Sequence, residues 1–359
     1  MQAYVLICHT FYPLTNLPGK CRVFLCPMFS PLHFQFRSNS APVIHIIHEN
    51  DTWLEPLRLA LAERALPYEE WFIDDLTLDL NATPPAGVFY NRMSASSHTR
   101  DHRFAWEATR GLMGWLEAHG SRVVNNRRAT ELEVSKVEQT IALQASGLMT
   151  PKTVAVTGAK ALRSAAADWT EPFILKPNRG GKGTGVQLIR NPSELDRVVE
   201  DFDAYTLDGT VVLQSYIRPA DGRVLRLEFI GGQHLYTVSI DAGGGFDLCP
   251  SDACQVGNAF CPADGRAKFE ILQGHQPEEL ERCLSFLRGA GMEVAAMEAA
   301  PDAQGRLQFY DVNINTNYNA EAEQKQGLEH TGMGEIAAFL GRELEVVKAQ
   351  AVGQKQEAS

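Results

Sequence analysis

The sequence predicts an α/β protein, α+β in part, and three observations carry that prediction. Strand-like and helical patterns alternate over residues 45–130, which is typical of a small doubly wound α/β domain. A glycine-rich loop lies between two strand-like runs within residues 173–189. Two later strand-like runs, residues 294–300 and 307–314, carry acidic residues in an apolar context. With 359 residues, the chain is long enough for two or three domains and a sizeable core.

Composition excludes several classes of function. The chain has 44 acidic and 33 basic residues and a formal net charge of -11, which argues against nucleic acid as the main partner. No apolar run approaches the ~18 residues of a membrane span, so no membrane partner is expected. Seven cysteines are an odd number for a disulfide framework, and they indicate a reducing compartment. We therefore expect a cytoplasmic globular protein.

Residues 1–40 show no clear helical or strand period, and we interpret them as an uncertain N-terminal extension. Residues 1–14 are apolar, but they lack a basic start and contain His9 and Pro13, so a signal peptide is a poor fit. Two interpretations stay open. The segment is either a tail or upstream sequence that precedes a later start at Met28.

The first predicted domain, residues 41–130, alternates strands and helices. Its expected elements are a strand at Val43–His48, a helix at 51–65 with Thr52 as N-cap, strands at 68–73 and 88–90, a helix at 103–119 and a strand at 123–124. Ligands of such sheets bind beyond the carboxyl ends of the strands. Asn91, Arg92 and the polar segment 94–103 are therefore either a site edge or a solvated surface loop.

The rest of the chain continues with mixed elements. Helices are expected at 131–146, 159–167, 192–202, 277–287 and 334–347, and strands at 151–157, 173–176, 186–189, 211–217, 224–229, 234–240, 294–300 and 307–314. Asn191 is the expected cap of the helix at 192–202. Residues 353–359 are expected to fray.

The stretch FILKPNRGGKGTGVQL, residues 173–188, resembles a phosphate cradle, because successive N–H groups in a glycine-rich loop can point at one anion. A P-loop or a dinucleotide fingerprint would lead into a helix, whereas a strand follows here. This context suits a flap over a nucleotide. The alternative is a flexible hairpin tip, and the basic residues Arg179 and Lys182 favour the flap.

A second group of residues lies far downstream on the strand YDVNIN. Asp311 and Asn313 are two residues apart, so they share one face of that strand. Glu298 on the preceding strand could lie alongside. Two carboxylates and a carboxamide form an all-oxygen set that suits magnesium. The alternative for any one of these acids is a solvated strand face.

Five motifs, taken together and in order, resemble those of the ATP-grasp carboxylate–amine ligases, within them the RimK-type glutamate ligases and glutathione synthetases. The motifs are SKVEQTIALQASGLMTPKT, FILKPNRGGKGTGV, VVLQSYI, RVLRLEFIGG, and GMEVAAME followed by FYDVNINTNYN. The resemblance runs from about residue 43 to 341. It implies an ATP-grasp architecture in which the small N-terminal domain is followed by a two-lobed nucleotide-binding region, with a lid subdomain at 131–218, a metal-site subdomain at 219–350 and a tail at 351–359.

The resemblance also implies roles for individual residues. ATP would be bound by Lys136, Lys176, Gly180, Gly181, Lys182, Gly183, Thr184, Gly185, Gln214, Ser215, Tyr216 and Ile217. Glu298, Asp311 and Asn313 would hold Mg²⁺, as two ions, with Mn²⁺ as an alternative. Arg226 and Lys176 would act in catalysis by balancing phosphate charge. Substrate contacts are expected from Arg92, Arg103 and Asn315.

The implied reaction transfers the γ-phosphoryl group of ATP to a carboxylate, and an amine then attacks the acylphosphate to give an amide or peptide bond, ADP and phosphate. Glutamate is one candidate acid, and both substrates are small molecules or peptides. Two other functions stay open: a phosphotransferase, and a nucleotide-binding module without turnover. Relatives with this architecture often pair, so a homodimer is compatible with the resemblance.

The chain departs from the family pattern near the expected substrate. Val224 replaces the usual aspartate before Arg226, Ser215 replaces the acid of the hinge, and residues 315–317 read NTN where many relatives have Ser-Pro-Gly. The segment FDLCPSDACQVGNAFCP contains Asp252 and Asn258, which are open candidates for substrate contact. Its cysteines, Cys249, Cys254 and Cys261, lack the spacing of a zinc pair, and we interpret them as packing or loop residues.

Overall fold

The structure is a computed structural model that describes residues 6–7, 10–11, 41–242 and 267–357. The chain divides into two compact units, Met1–Gln35 and Phe36–Ser359. In the first unit, strands β1 (Leu6–Ile7) and β2 (Thr10–Phe11) pair antiparallel. The rest of the predicted extension lies outside the described residues.

The second unit begins with a four-stranded parallel sheet flanked by helices. Its elements are β3 (Val43–His48), α1 (Asp51–Glu63), β4 (Tyr68–Phe72), β5 (Gly87–Asn91), α2 (Ala105–Ala118) and β6 (Arg122–Val124). The strand order is β4-β3-β5-β6, and every neighbouring pair is parallel. The predicted alternation of strands and helices is confirmed. The predicted cap of α1 is wrong, because the Asn50 side chain, not that of Thr52, accepts a hydrogen bond from Trp53 N at 3.1 Å.

The single helix predicted over residues 131–146 is two helices, α3 (Arg127–Glu133) and α4 (Lys136–Ala145). The chain leaves helical geometry at Ser135, whose backbone is extended. Its hydroxyl accepts a hydrogen bond from Glu138 N at 3.2 Å and so starts a new helix. Lys136 is therefore the first residue of α4, and it does not lie in the middle of a longer helix.

A second sheet carries the glycine-rich loop, and we call it the lid sheet. The elements of this region are β7 (Thr153–Thr157), α5 (Ala159–Ala166), β8 (Phe173–Pro177), β9 (Gln187–Ile189), α6 (Pro192–Glu200), α7 (Phe202–Tyr205) and β10 (Thr210–Ser215). The strand order is β7-β10-β8-β9, and all pairs are antiparallel. The glycine-rich loop joins β8 to β9, which confirms the strand, loop, strand context. Asn191 caps α6 as predicted, with its side chain 3.2 Å from Glu194 N.

The third sheet is five-stranded and antiparallel, and we call it the C-terminal sheet. The elements of this region are β11 (Arg223–Ile230), β12 (Gln233–Asp241), β13 (Phe269–Leu272), α8 (Leu280–Ala290), β14 (Val294–Pro301), β15 (Leu307–Asn313), α9 (Ala320–Lys325) and α10 (Gly332–Glu357). The strand order is β13-β12-β11-β14-β15. Helix α10 continues to Glu357, although fraying was predicted from residue 353.

Helix α10 joins the first and third sheets through one core. Ile336 and Leu340 of α10 pack with Ile44 of β3, Leu57 of α1 and Val294 of β14, all fully buried. The opposite face of the parallel sheet packs against α2 in a separate core. The lid sheet has a core of its own, formed within residues 154–213. Across the described ranges, no helix is long and apolar enough to cross a membrane.

Candidate active site

A cavity of about 660 Å³ is lined by all three sheets or the segments attached to them. Most of the predicted site residues line it, namely Lys136, Lys176, Gly180, Gly181, Lys182, Gly183, Thr184, Gln214, Ser215, Tyr216, Ile217, Arg226, Glu298, Asp311, Asn313 and Asn315. Gly185, Arg92 and Arg103 are not on its wall. The fold thus brings residues that are up to 179 positions apart, from Lys136 to Asn315, to one place.

Three charged residues form a row across the C-terminal sheet. Arg226 on β11 is opposite Glu298 on β14, and Glu298 is opposite Asp311 on β15. Arg226 Nη1 donates to Glu298 Oε1 at 2.6 Å, and Lys136 Nζ forms an ion pair with Asp311 Oδ1. Asn313, two residues further along β15, also lines the cavity. The register therefore fulfils the expectation that Glu298 lies alongside Asp311.

This oxygen set fits Mg²⁺ on the cavity wall. Burial raises the pKa of Glu298; the Arg226 charge opposes that rise, whereas the neighbouring Asp311 carboxylate adds to it. Two carboxylates side by side in a partly desolvated place repel one another, and a divalent cation would relieve that repulsion. Carboxylate and carboxamide oxygens are also the donors that Mg²⁺ prefers. Glu298, Asp311 and Asn313 are therefore suited to hold the metal.

Two of the three lysines that line the cavity, Lys136 and Lys176, differ in their electrostatic surroundings. Burial opposes the charge of Lys136, but the Asp311 carboxylate outweighs it and raises the lysine pKa. Burial lowers the pKa of Lys176 to about 8, and the charge of Lys136 adds to that effect. Lys176 Nζ donates to Tyr310 O at 3.1 Å, and no carboxylate of the described residues is within ion-pair distance of it. An incoming anion such as phosphate would stabilise its charged form.

The glycine-rich loop is a series of tight turns. Thr184 N donates to Gly181 O at 3.1 Å, and Val186 N donates to Gly183 O at 3.0 Å. Gly185 has φ +76°, and a Cβ there would approach Pro177 Cγ to 2.9 Å, so the position requires glycine. Tyr205 Oη donates to Gly185 O at 2.5 Å and connects the loop to α7. Gly185 therefore shapes the loop, although it lies outside the cavity wall.

The glycine-rich loop also contacts the N-terminal domain. Lys182 Nζ is 4.6 Å from the ring centroid of Trp53, and the Arg100 guanidinium is 4.6 Å from the same centroid. A Cβ at Gly181 would be 3.2 Å from Ser96 Cβ, so these backbones are close. Cation–π contacts of this kind are worth about 0.5–1 kcal/mol at exposed sites. The loop is thus held over the cavity by contacts that sequence patterns did not reveal.

Other cavity residues were given no site role by the sequence analysis: Trp53, Glu133, Arg190, Arg218, Tyr310 and Asn317. Ser94 and Ser96, from the segment 94–103 that was a candidate site edge, also line the cavity. Glu133 is buried, and its two oxygens accept hydrogen bonds from Ala95 N at 3.2 Å and Ile314 N at 2.7 Å. Burial raises the pKa of Glu133 to about 7, and those hydrogen bonds limit the rise. In the sequence, the only feature that could have pointed to Glu133 is its position three residues before Lys136.

The predicted substrate residues have different locations. Asn315 lines the cavity. Arg92 is buried behind the wall and contacts the Asn315 and Asn317 side chains. The Arg103 guanidinium is 5.7 Å from the Phe104 ring centroid. The backbone oxygen of Arg103 accepts a hydrogen bond from Arg179 Nη2 at 3.3 Å. Asp252, Asn258, Cys249, Cys254 and Cys261 lie outside the described residues.

Away from the cavity wall, the side chains of His48, Asp51 and Glu70 lie close enough together to be considered as ligands of a metal ion. Arg58 Nη2 donates to Asp51 Oδ1 at 2.8 Å and to Glu70 Oε2 at 2.6 Å. The guanidinium is therefore already an ion-pair partner of both carboxylates. This group is better explained as an ion-pair network than as a metal site.

No family model matches the sequence. The chain is 22% identical over 233 residues to a tetrahydromethanopterin:alpha-L-glutamate ligase of Methanosarcina acetivorans, which covers 55% of this chain and 69% of that protein. The structure of the present chain is similar to that of a RimK domain ATP-grasp protein of Sphaerobacter thermophilus. The TM-score is 0.61 and the identity is 17%, and the match covers 83% of this chain and 98% of the other. The structure is also similar to the ATP-grasp ligase PsnB complexed with minimal precursor, Mg and ADP, with a TM-score of 0.57, 16% identity, and coverage of 84% and 98%. The chain therefore has the ATP-grasp fold, as the sequence motifs predicted.

Proposed function

We propose that this protein is an ATP- and Mg²⁺-dependent ligase that joins a carboxylate to an amine. The observation that carries the proposal is the row of Arg226, Glu298 and Asp311, which meets Lys136, Lys176 and the glycine-rich loop in one cavity. In the reaction, a carboxylate oxygen takes the γ-phosphoryl group and ADP leaves. The amine then attacks the acyl carbon, phosphate leaves, and the nitrogen loses a proton. The names of the similar proteins, an alpha-L-glutamate ligase and an ATP-grasp ligase, support this class of reaction.

The chain's own residues supply positioning and charge. Glu298, Asp311 and Asn313 would hold magnesium, as two ions, with Mn²⁺ as an alternative. The metal would neutralise phosphate charge when bound. Lys176 and Lys136 would contact phosphate oxygens, and the strand end at residues 214–217 would run beside the base. Since Arg226 already binds Glu298 and Glu228, at 2.6 Å in both cases, we assign it to holding the metal row as well as to balancing charge.

The glycine-rich loop, which we also call the lid loop, would exclude water from the reactive acyl group. Its fixed turns at Gly181, Gly183 and Gly185 and its contact with Trp53 cover the cavity from the side of the lid sheet. An acylphosphate exposed to water would hydrolyse, so a closed loop favours attack by the amine.

The substrates are proposed by class. One is a carboxylic acid, with glutamate as a candidate, and the other is an amine; either can be a small molecule or part of a peptide. The similar proteins include both an alpha-L-glutamate ligase and a ligase complexed with a minimal precursor. Asn315 would contact substrate directly. Arg92 would act from behind the wall, and Arg103 remains a candidate at the segment that precedes α2.

The test is ADP release from MgATP with a panel of carboxylates, each with and without hydroxylamine, which traps acylphosphates as hydroxamates. A ligase gives hydroxamate with at least one acid, and Lys176→Ala abolishes it while the protein stays folded. ADP release that needs an acceptor but gives no hydroxamate would instead support a phosphotransferase. Binding of MgATP without turnover under any pairing, protein and peptide acceptors included, would support a nucleotide-binding module.

A further inference from the structure

Arg92 is a buried cation with an unusual set of partners. Its residue is 2% exposed, and no carboxylate of the described residues is within ion-pair distance. Its Nη2 donates to Asn315 Oδ1 at 3.2 Å, Asn317 Oδ1 at 3.1 Å and Thr316 O at 3.4 Å. Burying a guanidinium without a counter-charge is costly, and neutral oxygens compensate that cost only in part. The site therefore retains positive charge behind the cavity wall.

The partners of Arg92 fix the orientation of two carboxamides. A guanidinium has only donors, so the atoms that face it must be the Oδ1 oxygens of Asn315 and Asn317. Their Nδ2 groups consequently turn away from Arg92, and the hydrogen bonds of the described residues include none donated by either Nδ2. Both residues line the cavity. The Arg92 guanidinium binds both side-chain oxygens, which polarises the two amides and strengthens their Nδ2 groups as hydrogen-bond donors. Both donors thus belong to residues of the cavity wall.

These carboxamides continue the chain directly from the proposed metal site. Asn313 ends β15, and Asn315 and Asn317 follow at spacings of two. Ser94, two residues after Arg92, lines the same cavity, and its hydroxyl is hydrogen-bonded to that of Ser96 at 2.9 Å. A group bound to the carboxamides would therefore belong to a molecule lying close to the reacting centre.

We propose that Asn315 and Asn317, oriented by Arg92, form a receptor for a carboxylate group that a substrate carries in addition to its reacting group. This inference rests on the proposed ligase function and specifies the substrate as an anion at this end of the cavity. Donor hydrogens and a buried positive charge favour a carboxylate. They disfavour an ammonium group, which would meet like charge and amide hydrogens at this point. A neutral carbonyl could accept the hydrogen bonds, but it would gain little from the Arg92 charge.

The test observes the two carboxamides directly. In protein labelled with ¹⁵N-asparagine, the side-chain NH₂ resonances of Asn315 and Asn317 are assigned from their loss in Asn315→Asp and Asn317→Asp. Succinate and glutarate are titrated, and succinamide and glutaramide serve as neutral counterparts. We expect at least one dicarboxylate to shift both resonances to saturation, and its diamide to leave them unchanged.

The variants separate binding from folding. Asn315→Asp preserves shape but replaces a donor by a negative oxygen, so dicarboxylate affinity measured at Asn317 should fall about tenfold or more. Arg92→Gln removes the charge, and it should reduce the preference for dicarboxylate over diamide. Asn81→Asp introduces the same charge at an exposed loop position outside the cavity wall, and it should bind like the wild type.

Three results would overturn the receptor: no dicarboxylate shifts either resonance, the diamides shift them equally, or Asn315→Asp binds as tightly as Asn81→Asp. Because the titration needs no ATP turnover, it is independent of the ligase assay. An inactive protein whose carboxamides bind dicarboxylate would refute the ligase and leave the receptor. A working ligase whose carboxamides ignore dicarboxylates would refute the receptor alone.

Discussion

Lys136 and Lys176 lie on the same cavity wall, and of these two only Lys136 forms an ion pair with a carboxylate of the described residues. The Asp311 carboxylate raises the pKa of Lys136 against the effect of burial, whereas burial lowers that of Lys176 to about 8. Lys176 therefore gains most from an anionic ligand, because binding would restore the charge that burial disfavours. Asp311 has two tasks in the proposed function, pairing with Lys136 and holding the metal.

We expect Asp311→Asn to reduce ADP formation about a hundredfold or more, because a carboxamide is a weaker metal donor and leaves Lys136 unpaired. The substitution keeps the size of the side chain. ADP release by the purified variant measures the effect, with circular dichroism to verify folding. Asp196→Asn, which breaks an exposed ion pair with Arg163, is the matched control and should retain wild-type activity. Equal losses in both variants would contradict the role of Asp311.

His45 gives a prediction about pH and stability. It is 1% exposed and stacks on Phe89 with a centroid distance of 4.5 Å. Burial lowers the pKa of His45 to about 4, and its contact with the Ala86 carbonyl offsets only part of this effect. The unfolded chain binds the proton more tightly, so the stabilising contribution is complete above pH 6.5 and falls as pH drops toward 4. The loss at pH 4 is roughly 3 kcal/mol.

Replacing the titrating ring should remove that part of the pH dependence. We expect His45→Gln to be less stable than the wild type at pH 7, with a gap that narrows as the pH falls toward 4. Urea unfolding at several pH values measures the gap. Thr109→Val changes a buried polar side chain that carries no titrating group, and it should run parallel to the wild type across the same range. A His45→Gln curve that also runs parallel would show that His45 is not held neutral by burial.

Residue chemistry explains which site residues the sequence could predict. Asp311 and Asn313 were predicted because the period of a strand places them on one face, and Glu298 because it lies on the preceding strand. The register of β14 and β15 places Glu298 opposite Asp311. Trp53 and Asn317 were missed because their place on the wall depends on distant parts of the chain. The same holds for Arg92, whose sequence context suggested direct contact with substrate, whereas the fold places it behind Asn315 and Asn317.

At the scale of elements, the presence of strands was easier to predict than the ends of helices. The break between α3 and α4 depends on a hydroxyl of Ser135 and on the long-range acceptor Glu133, which binds Ala95 N and Ile314 N. Helix propensity alone continues through this point. Helix α10 extends beyond its predicted end, and its buried face forms one core with β3 and α1. The α3–α4 boundary therefore depends on local capping and long-range hydrogen bonds, whereas residues 348–353 of α10 are mostly exposed and lie beyond that core.

The lid loop is the element whose conformation most directly limits the proposed function. Gly185 combines a positive φ with a close approach to Pro177. We expect Gly185→Ala to raise the KM for ATP about tenfold, because left-handed backbone costs about 1–2 kcal/mol for alanine and the clash adds to it. Steady-state kinetics at varied MgATP measure this effect.

The matched control for that substitution is Gly274→Ala. Gly274 has φ +67°, but a Cβ there meets nothing within 4 Å, and the residue is outside the cavity wall. Gly274→Ala should lower the free energy of unfolding by about the same cost of left-handed backbone for alanine, and it should leave the KM for ATP unchanged. If both variants raised the KM equally, strain anywhere in the chain would explain the result, and the special role of the loop would be wrong.

At the scale of the whole molecule, the described cores differ in how far they extend along the chain. One core joins residues from Ile44 to Leu344 and therefore ties the parallel sheet to the C-terminal sheet. The core of the lid sheet draws its buried members from residues 156–213 only. A core built from one continuous segment can open without disrupting the other sheets. The lid sheet is consequently the part that can open while the rest stays folded.

Native-state hydrogen exchange tests this difference in stability. Amides of β8 and β10 should exchange through an opening of lower free energy than amides of β3 and β14, which should require global unfolding.

A non-hydrolysable ATP analogue with Mg²⁺ contacts both parts in the proposed function, so it should slow exchange most in the lid sheet. At a ligand concentration of about 100 times Kd, the gain approaches about 2.7 kcal/mol if opening releases the nucleotide. Asp311→Asn should lose most of this protection at the same ligand concentration, because nucleotide and metal are then held less tightly. Uniform exchange across all three sheets without nucleotide would instead mean that the chain unfolds as one cooperative unit, and closure of the lid would then have to involve the loop alone.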